Sequence, residues 1–367
     1  MKQQSPMPRR AFIKGGAAAL TSLLVGTSAL AQAPFAVRPV DRLALQAIVD
    51  NATFGPFLPD LDLPGMRVER AGRGGPGPMP RIPLLAEFGL SILARSSVGE
   101  EIRHVLVDFG YSQEVLANNL ALLGVDPDRL DASVLSHGHL DHYGGFRGLF
   151  ERSPERARPL PLIVGGEETF CERVATFGSP PPVMGLLDKA ALAQAGLEVR
   201  IASEPILVAD HAFTTGSIPL AGFEQAAMPT AMRPGVGCER SSLSPAKRQA
   251  AEFPDDGEHE LATCYAVKGL GLVVIASCSH RGVLNSVRRA QAVSGIEAVH
   301  AVVGGFHLVR PRTPEDVRAT VAGFVEMNPR YVVPMHCSGE AFISAAEQAM
   351  PGRIVRPYVG SSFVFEA

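Results

Sequence analysis

Three histidines and an aspartate fall within six positions of one run, Ser136-His137-Gly138-His139-Leu140-Asp141-His142-Tyr143-Gly144-Gly145. Imidazole nitrogens and a carboxylate are the donors that a borderline divalent ion such as Zn²⁺ takes. The i, i+2 spacing of His137 and His139 points both rings to one side of an extended segment. Asp141 and His142 are adjacent and face elsewhere, so one short loop can feed two neighbouring metal positions. The bland alternative is a solvated histidine-rich loop. It sits badly with the apolar stretch Ala132 to Leu135 before the run and the Gly-Gly pair after it.

The elements that must position such a loop alternate between strand and helix from about residue 88 onward. Val105 to Val107 is a β-rich run that ends at Asp108-Phe109-Gly110. Ser112 then reads as an N-cap, with Leu116, Leu120 and Leu123 on one helical face and Gly124 as the stop. Leu261 to Lys268 and Leu270 to Ala276 form a hairpin-like pair, followed by a helix after Arg281. The strand Ala298 to Val303 leads into Gly304-Gly305-Phe306-His307. Thr313-Pro314-Glu315 caps a helix that precedes the strand Tyr331 to Pro334 and His336. The chemically rich residues repeatedly fall just past strand ends, where loops over a sheet build sites. Residues 64–83 are loaded with Gly, Pro and Arg and read as a flexible loop. Residues 222–258 are poorly periodic and read either as a substrate-covering loop or as a surface insertion.

Residues 1–33 read as a targeting segment. Arg9-Arg10-Ala11-Phe12-Ile13-Lys14 is a twin-arginine pattern, and a mild apolar run follows from Gly15 to Ala31. That run is short for a membrane span, and Ala29-Leu30-Ala31 offers a small-x-small cleavage site. The expected location is therefore periplasmic or otherwise exported, with the twin-arginine machinery as a partner and no stable membrane anchor. The segment carries Lys2, Arg9, Arg10 and Lys14 and no acid, so the remainder is more acidic than the −3 of the whole chain. That balance excludes nucleic acid as an expected partner. Cys171, Cys238, Cys264, Cys278 and Cys337 are scattered and odd in number, which is not a disulfide framework. Cys278 and Cys337 flank candidate ligand histidines; they read as soft ligands or, given apolar neighbours, as inert packing thiols.

On these residues the chain resembles the metallo-β-lactamase superfamily. Asp108 in Leu106-Val107-Asp108-Phe109-Gly110 and the run 137–142 carry the likeness, over roughly residues 45–365. Within the superfamily it looks closest to the dihydropterin-ribofuranosylaminobenzene-phosphate synthase-like metallohydrolases. The matching pieces are Ser136 to Gly145, Ala276-Ser277-Cys278-Ser279-His280-Arg281-Gly282, Gly304-Gly305-Phe306-His307-Leu308 and Pro334-Met335-His336-Cys337-Ser338-Gly339. The resemblance implies an αββα four-layer sandwich over 34–367, with an insertion near 222–258 and the metals at one edge between the sheets. It implies His137 and His139 on one ion, Asp141, His142 and His336 at the second position, and His280 near both. In the wider superfamily a bridging aspartate stands roughly where His280 does, and a neutral imidazole cannot bridge.

Asp108 is expected to be a buried carboxylate that orients the metal loop through backbone N–H groups and a ligand histidine. His307 follows a Gly-Gly pair that permits close approach, and reads as a contact to substrate or to metal. Arg281 and Arg310 are candidates for holding an anionic substrate group, beside a plain surface role. His211 reads as an ordinary surface histidine, and His104, His259 and His300 have no supporting context. The function this implies is a hydrolase in which one or two ions, Zn²⁺ or another divalent transition metal, activate water against a small-molecule ester, lactone or phosphate. Asp141 doubles as the group that orients the nucleophile. Two alternatives stand beside it: a condensing transferase of the dihydropterin type, and a non-catalytic periplasmic metal-dependent binding protein.

Overall fold

Apolar residues alternate along the strands, and the two parities serve different layers. In the strand Glu101–Val107, Val105 and Val107 enter one buried cluster while Leu106 enters another. In Gly271–Ile275, Val273 and Ile275 join Val105 and Val107, whereas Leu272 and Val274 turn to a third cluster. The shared cluster is the space between two stacked sheets, and the other two lie beneath helices. In Arg42–Val49 a register shift between Ala47 and Val49 moves the alternation, so Leu43, Leu45 and Ala47 face the middle and Ile48 and Val49 the outside.

The computed structural model describes residues 35–54, 58–70, 80–150 and 158–367. The signal segment expected over 1–33 lies outside the described residues, as do residues 71–79 of the expected 64–83 loop. The first sheet has nine strands in the order Leu197–Ile201, Leu160–Val164, Ala132–Leu135, Glu101–Val107, Ser91–Val98, Arg42–Val49, Ser362–Glu366, Met66–Glu69 and Leu61–Leu63. The second has six: Leu207–Val208, Ala212–Thr214, Thr263–Val267, Gly271–Ile275, Val299–Gly304 and Tyr331–Pro334. The helix Gln113–Leu122 covers the outer face of the first sheet through Leu116 and Leu120. The helices Val283–Ser294, Pro314–Met327 and Glu340–Ala349 cover the second through Leu284, Val287, Phe324 and Phe342. Helix, sheet, sheet, helix is the expected αββα order.

Two parallel runs decide where the site forms. Glu101–Val107, Ala132–Leu135 and Leu160–Val164 run parallel in the first sheet. Gly271–Ile275, Val299–Gly304 and Tyr331–Pro334 run parallel in the second. Parallel neighbours leave their C-terminal loops on one rim, and that rim carries Asp108, the 136–142 loop, and the turns at 276–282, 305–308 and 335–339.

Three local expectations change. Ser112 precedes its helix but makes no capping bond; its Oγ donates instead to Glu87 Oε2 at 2.6 Å. Residues 222–258 are not irregular. They contribute Thr230–Arg233 and Phe253–Pro254 to a four-stranded sheet with Glu172–Ala175 and Val183–Gly185. Strands of two to four residues are too short for a period to show. Finally, Cys171 and Cys238 are joined by a disulfide across 67 residues, a bridge that an odd count of five did not suggest. It ties this small sheet's Glu172–Ala175 strand to the insertion.

Candidate metal centre

The rim residues are held in costly backbone conformations. Asp108, Ser279, His307 and His336 all have positive φ (58°, 58°, 42° and 48°), four of the seven such non-glycine residues among those described. Strain of this kind persists where surrounding contacts over-determine a site. Here it turns each side chain inward as its strand ends.

The rings then crowd together. His137 lies 4.6 Å from His139, 4.2 Å from His142 and 4.9 Å from His280, centroid to centroid. His142 and His336 are 5.0 Å apart. Asp141 Oδ2 is 3.1 Å from His336 Nε2 and 3.8 Å from His142 Nε2. The ligand atoms of His137, His139 and His280 lie within 4.8 Å of one another, and so do those of Asp141, His142 and His336. The loop therefore feeds two adjacent positions.

Hydrogen bonds decide which nitrogen each ring offers. His142 Nδ1 faces Asp108 Oδ2 at 2.8 Å, and a carboxylate only accepts, so Nδ1 carries the proton. Ser136 Oγ donates to Asp108 Oδ2 (2.8 Å) and so accepts from His137 Nδ1 (3.0 Å). His280 Nδ1 donates to the Ala227 carbonyl at 2.9 Å. In all three rings Nε2 is left bare, buried and without a hydrogen-bond partner, whereas Nε2 of His336 faces Asp141 Oδ2 at 3.1 Å. His139 is reversed. Thr230 Oγ1 donates to Asp255 Oδ2 (3.2 Å) and accepts from His139 Nε2 (3.0 Å), so His139 offers Nδ1.

Bare buried acceptors facing one another are unfavourable unless a cation lies between them. Burial pushes His137 and His280 far below the ordinary imidazole value and His139 down to about 4, so protons do not fill that role. Asp141 stays ionised: burial opposes it, but His142 and His336 outweigh burial and hold it low. Burial opposes a charge on His336 as well, yet Cys337 and Asp141 raise it to about 9. Five imidazoles and one carboxylate fit a borderline transition ion such as Zn²⁺ far better than a hard ion such as Mg²⁺.

The support around these rings is dense. Asp108 Oδ1 also accepts the Ser136 N–H at 2.7 Å, so one carboxylate sets the loop and two of its histidines, as the sequence suggests. Gly138 is required by close approach: a Cβ there would stand 2.3 Å from the Thr169 carbonyl and 2.5 Å from Arg173 Nη1. Arg173 is fully buried and bonds Asp255 Oδ2 through Nε at 2.9 Å. Its Nη2 donates to His259 Nε2 at 2.8 Å. Glu260 accepts the backbone N–H groups of His280 (2.8 Å) and Arg281 (2.7 Å) and so holds that turn.

The structure brings together His137, His139, Asp141, His142, His280 and His336, with Asp108 behind them. His307 packs 4.2 Å from His280, within the same rim. Arg281 departs from expectation. Its Nε and Nη1 donate to the carbonyls of Ile218 and Asp256 (both 2.6 Å), so the guanidinium braces backbone rather than awaiting an anion. Arg310 is exposed. His211 is buried, not on the surface, against Ser96 Oγ at 3.0 Å. Sequence reasoning missed Thr230, Asp255, Arg173 and Glu260. Each sits 20 to 91 residues from the partner it orients, and nothing local marks it.

Comparison with known proteins agrees with this geometry. The profile of the metallo-beta-lactamase superfamily matches residues 89–165, which include the 136–142 loop. The 7,8-dihydropterin-6-methyl-4-(beta-D-ribofuranosyl)-aminobenzene-5'-phosphate synthase of Methanocaldococcus jannaschii is 25% identical over 287 residues, 75% of this chain and 91% of its own. An uncharacterized protein of the same organism is 25% identical over 241 residues, 65% of this chain and 80% of its own. Among solved structures, Tm1679, described as a metal-dependent hydrolase of the beta-lactamase superfamily, superposes with a TM-score of 0.62. It does so at 22% identity, over 87% of this chain and 98% of its own. The match over residues 89–165 is to the metallo-beta-lactamase superfamily, and the αββα sandwich around the rim of imidazoles is the metallo-beta-lactamase fold.

Proposed function

We propose that this chain is an exported metal-dependent hydrolase of small-molecule esters, lactones or phosphate esters. The observation that carries the reading is the set of bare imidazole nitrogens converging with Asp141 at two adjacent positions. A divalent ion held there supplies Lewis acidity and lowers the pKa of a bound water from about 15.7 toward 7. His137, His139 and His280 would hold one ion; Asp141, His142 and His336 would hold the other.

The chain's own groups do the rest. Asp108, Ala227 and Thr230 fix the tautomers of His137, His142, His280 and His139 in advance, so those four rings need move no proton before an ion arrives. The side chains of His142 and His336 are fully buried, while that of Asp141 is 17% exposed. Water therefore meets this half of the centre at Asp141, whose carboxylate is placed to accept a hydrogen bond from it and orient it. His307 packs 4.2 Å from His280 on the same rim and backs that ring.

A second reading rests on the 25% identity to the methanogen synthase across most of both chains. In that case the same centre would serve a condensation of a dihydropterin diphosphate with a ribosylaminobenzene phosphate. The deciding experiment measures metal content per chain by elemental analysis. A panel of esters, lactones and phosphate esters, and the two synthase substrates, then follows with that metal present. Free acid or alcohol released only with metal supports the hydrolase; a joined pterin product supports the synthase. Tight ligand binding without turnover across the panel supports a binding protein, and a protein that takes up no transition ion sinks all three.

A further inference from the structure

We propose that Cys278, His307 and Cys337 form a separate sulfur-rich site for a thiophilic divalent ion such as Zn²⁺, behind the imidazole–carboxylate centre. Cys264 shows what an inert thiol looks like in this fold: it lies in the apolar cluster with Phe213, Leu272 and Val274. Cys278 and Cys337 belong to no apolar cluster among the described residues. Their sulfurs stand 3.0 Å apart, both buried, and Cys278 Sγ is 3.7 Å from His307 Nδ1. The ligand atoms of all three residues lie within 4.8 Å of one another.

Two further contacts hold the three groups together. His307 is buried at a φ of 42° that turns its Nδ1 toward Cys278 Sγ, while its Nε2 is buried with no hydrogen-bond partner. The backbone N–H of His307 also donates to Cys337 Sγ at 3.3 Å, and Cys337 Sγ reaches the Cys278 carbonyl at 3.8 Å, so the sulfur is held in place from two sides. Gly305 makes the approach possible, since a Cβ there would stand 2.7 Å from Cys337 Sγ. Two thiolates and one divalent ion sum to zero charge, which is what a fully buried site tolerates. On binding, two S–H bonds break, two metal–sulfur bonds form, and both protons pass to solvent. Two sulfurs and a nitrogen form a softer set than five imidazoles and a carboxylate, so the two sites would prefer different ions.

Cys278 Sγ also lies within 4.8 Å of donor nitrogens of His137 and His142, so it could instead ligate the first centre. The test separates the two. Full-length protein stripped by chelator is titrated with Co²⁺ alone, and the sulfur-to-cobalt charge-transfer absorption is followed. The band is expected in wild type and in the double variant His139→Ala/Asp141→Ala. It is expected to disappear in Cys337→Ser, with one ion fewer per chain and the imidazole-bound cobalt retained. A band lost in the His139/Asp141 variant but undiminished in Cys337→Ser assigns Cys278 to the first centre and overturns the proposal. X-ray absorption of zinc-loaded wild type needs no variant: sulfur scattering near about 2.3 Å is expected, and its absence refutes the site. So does a Cys278–Cys337 disulfide in the isolated protein that, once reduced, takes up no additional ion.

Discussion

His142 Nδ1 lies 2.8 Å from Asp108 Oδ2, and this one contact sets which nitrogen His142 presents to the centre. The same oxygen accepts from Ser136 Oγ, which in turn accepts from His137. One carboxylate at a strained strand end therefore determines the tautomer of two ligand rings. Asp108→Asn replaces an obligate acceptor with a group that also donates, while keeping the shape. Metal affinity should fall by about 10–100-fold, measured by competition with a chelator of known strength. An unchanged affinity would contradict the orienting role.

Thr230 sets the opposite tautomer in His139. Thr230→Val suits its strand and preserves volume, but strands the His139 Nε2–H and exposes Asp255 Oδ2 to no hydroxyl. The expected result is about a tenfold loss of metal affinity, with the thermal midpoint of the metal-free protein little altered. Imidazole nitrogen chemical shifts should show His139 sampling both tautomers. A single unchanged tautomer would remove Thr230 from the account.

Gly138 is pressed against the Thr169 carbonyl and Arg173. Gly138→Ala drives a Cβ into backbone that cannot move freely, so it should destabilise the fold by about 1–3 kcal/mol or more. It should also misplace His137 and His139 together. Denaturant unfolding reads the first effect and metal titration the second; a neutral Gly138→Ala would mean that the loop is slack.

The metal-free protein should weaken in acid. Burial depresses His139 to about 4, against about 6.5 in the unfolded chain. Between those values the unfolded state binds the extra proton, so stability falls as pH drops from about 6.5 toward 4. His137 and His280 act in the same direction. His336 behaves oppositely, because its value rises to about 9. Its contribution is complete below about 6.5 and fades as pH rises through 9. His336 must also shed its proton to bind an ion. Metal affinity should thus climb by up to about tenfold per pH unit until pH 9, a slope that His336→Ala should flatten.

The ligand residues were legible in the sequence because each belongs to a local pattern. His137, His139, Asp141 and His142 share one short loop, and His280, His307 and His336 each follow an apolar strand. The αββα order was legible too, as what the family resemblance carried by those motifs implies. Local spacing does not carry the partners of those side chains. Thr230 reaches His139 from 91 residues away, and Asp255 reaches Arg173 from 82. Both Thr230 and Asp255 come from an insertion whose strands are too short to show a period. Arg281 looked available beside His280, yet the chain's return at Ile218 and Asp256 supplies carbonyls that claim it. The sequence by itself determined which donor types are present and that strand ends would gather them. The tertiary structure decided which nitrogen each imidazole offers, which charges are already spoken for, and that two distant thiols meet. The physical reason is that a hydrogen bond depends on two groups, and the second group was almost always far away in the chain.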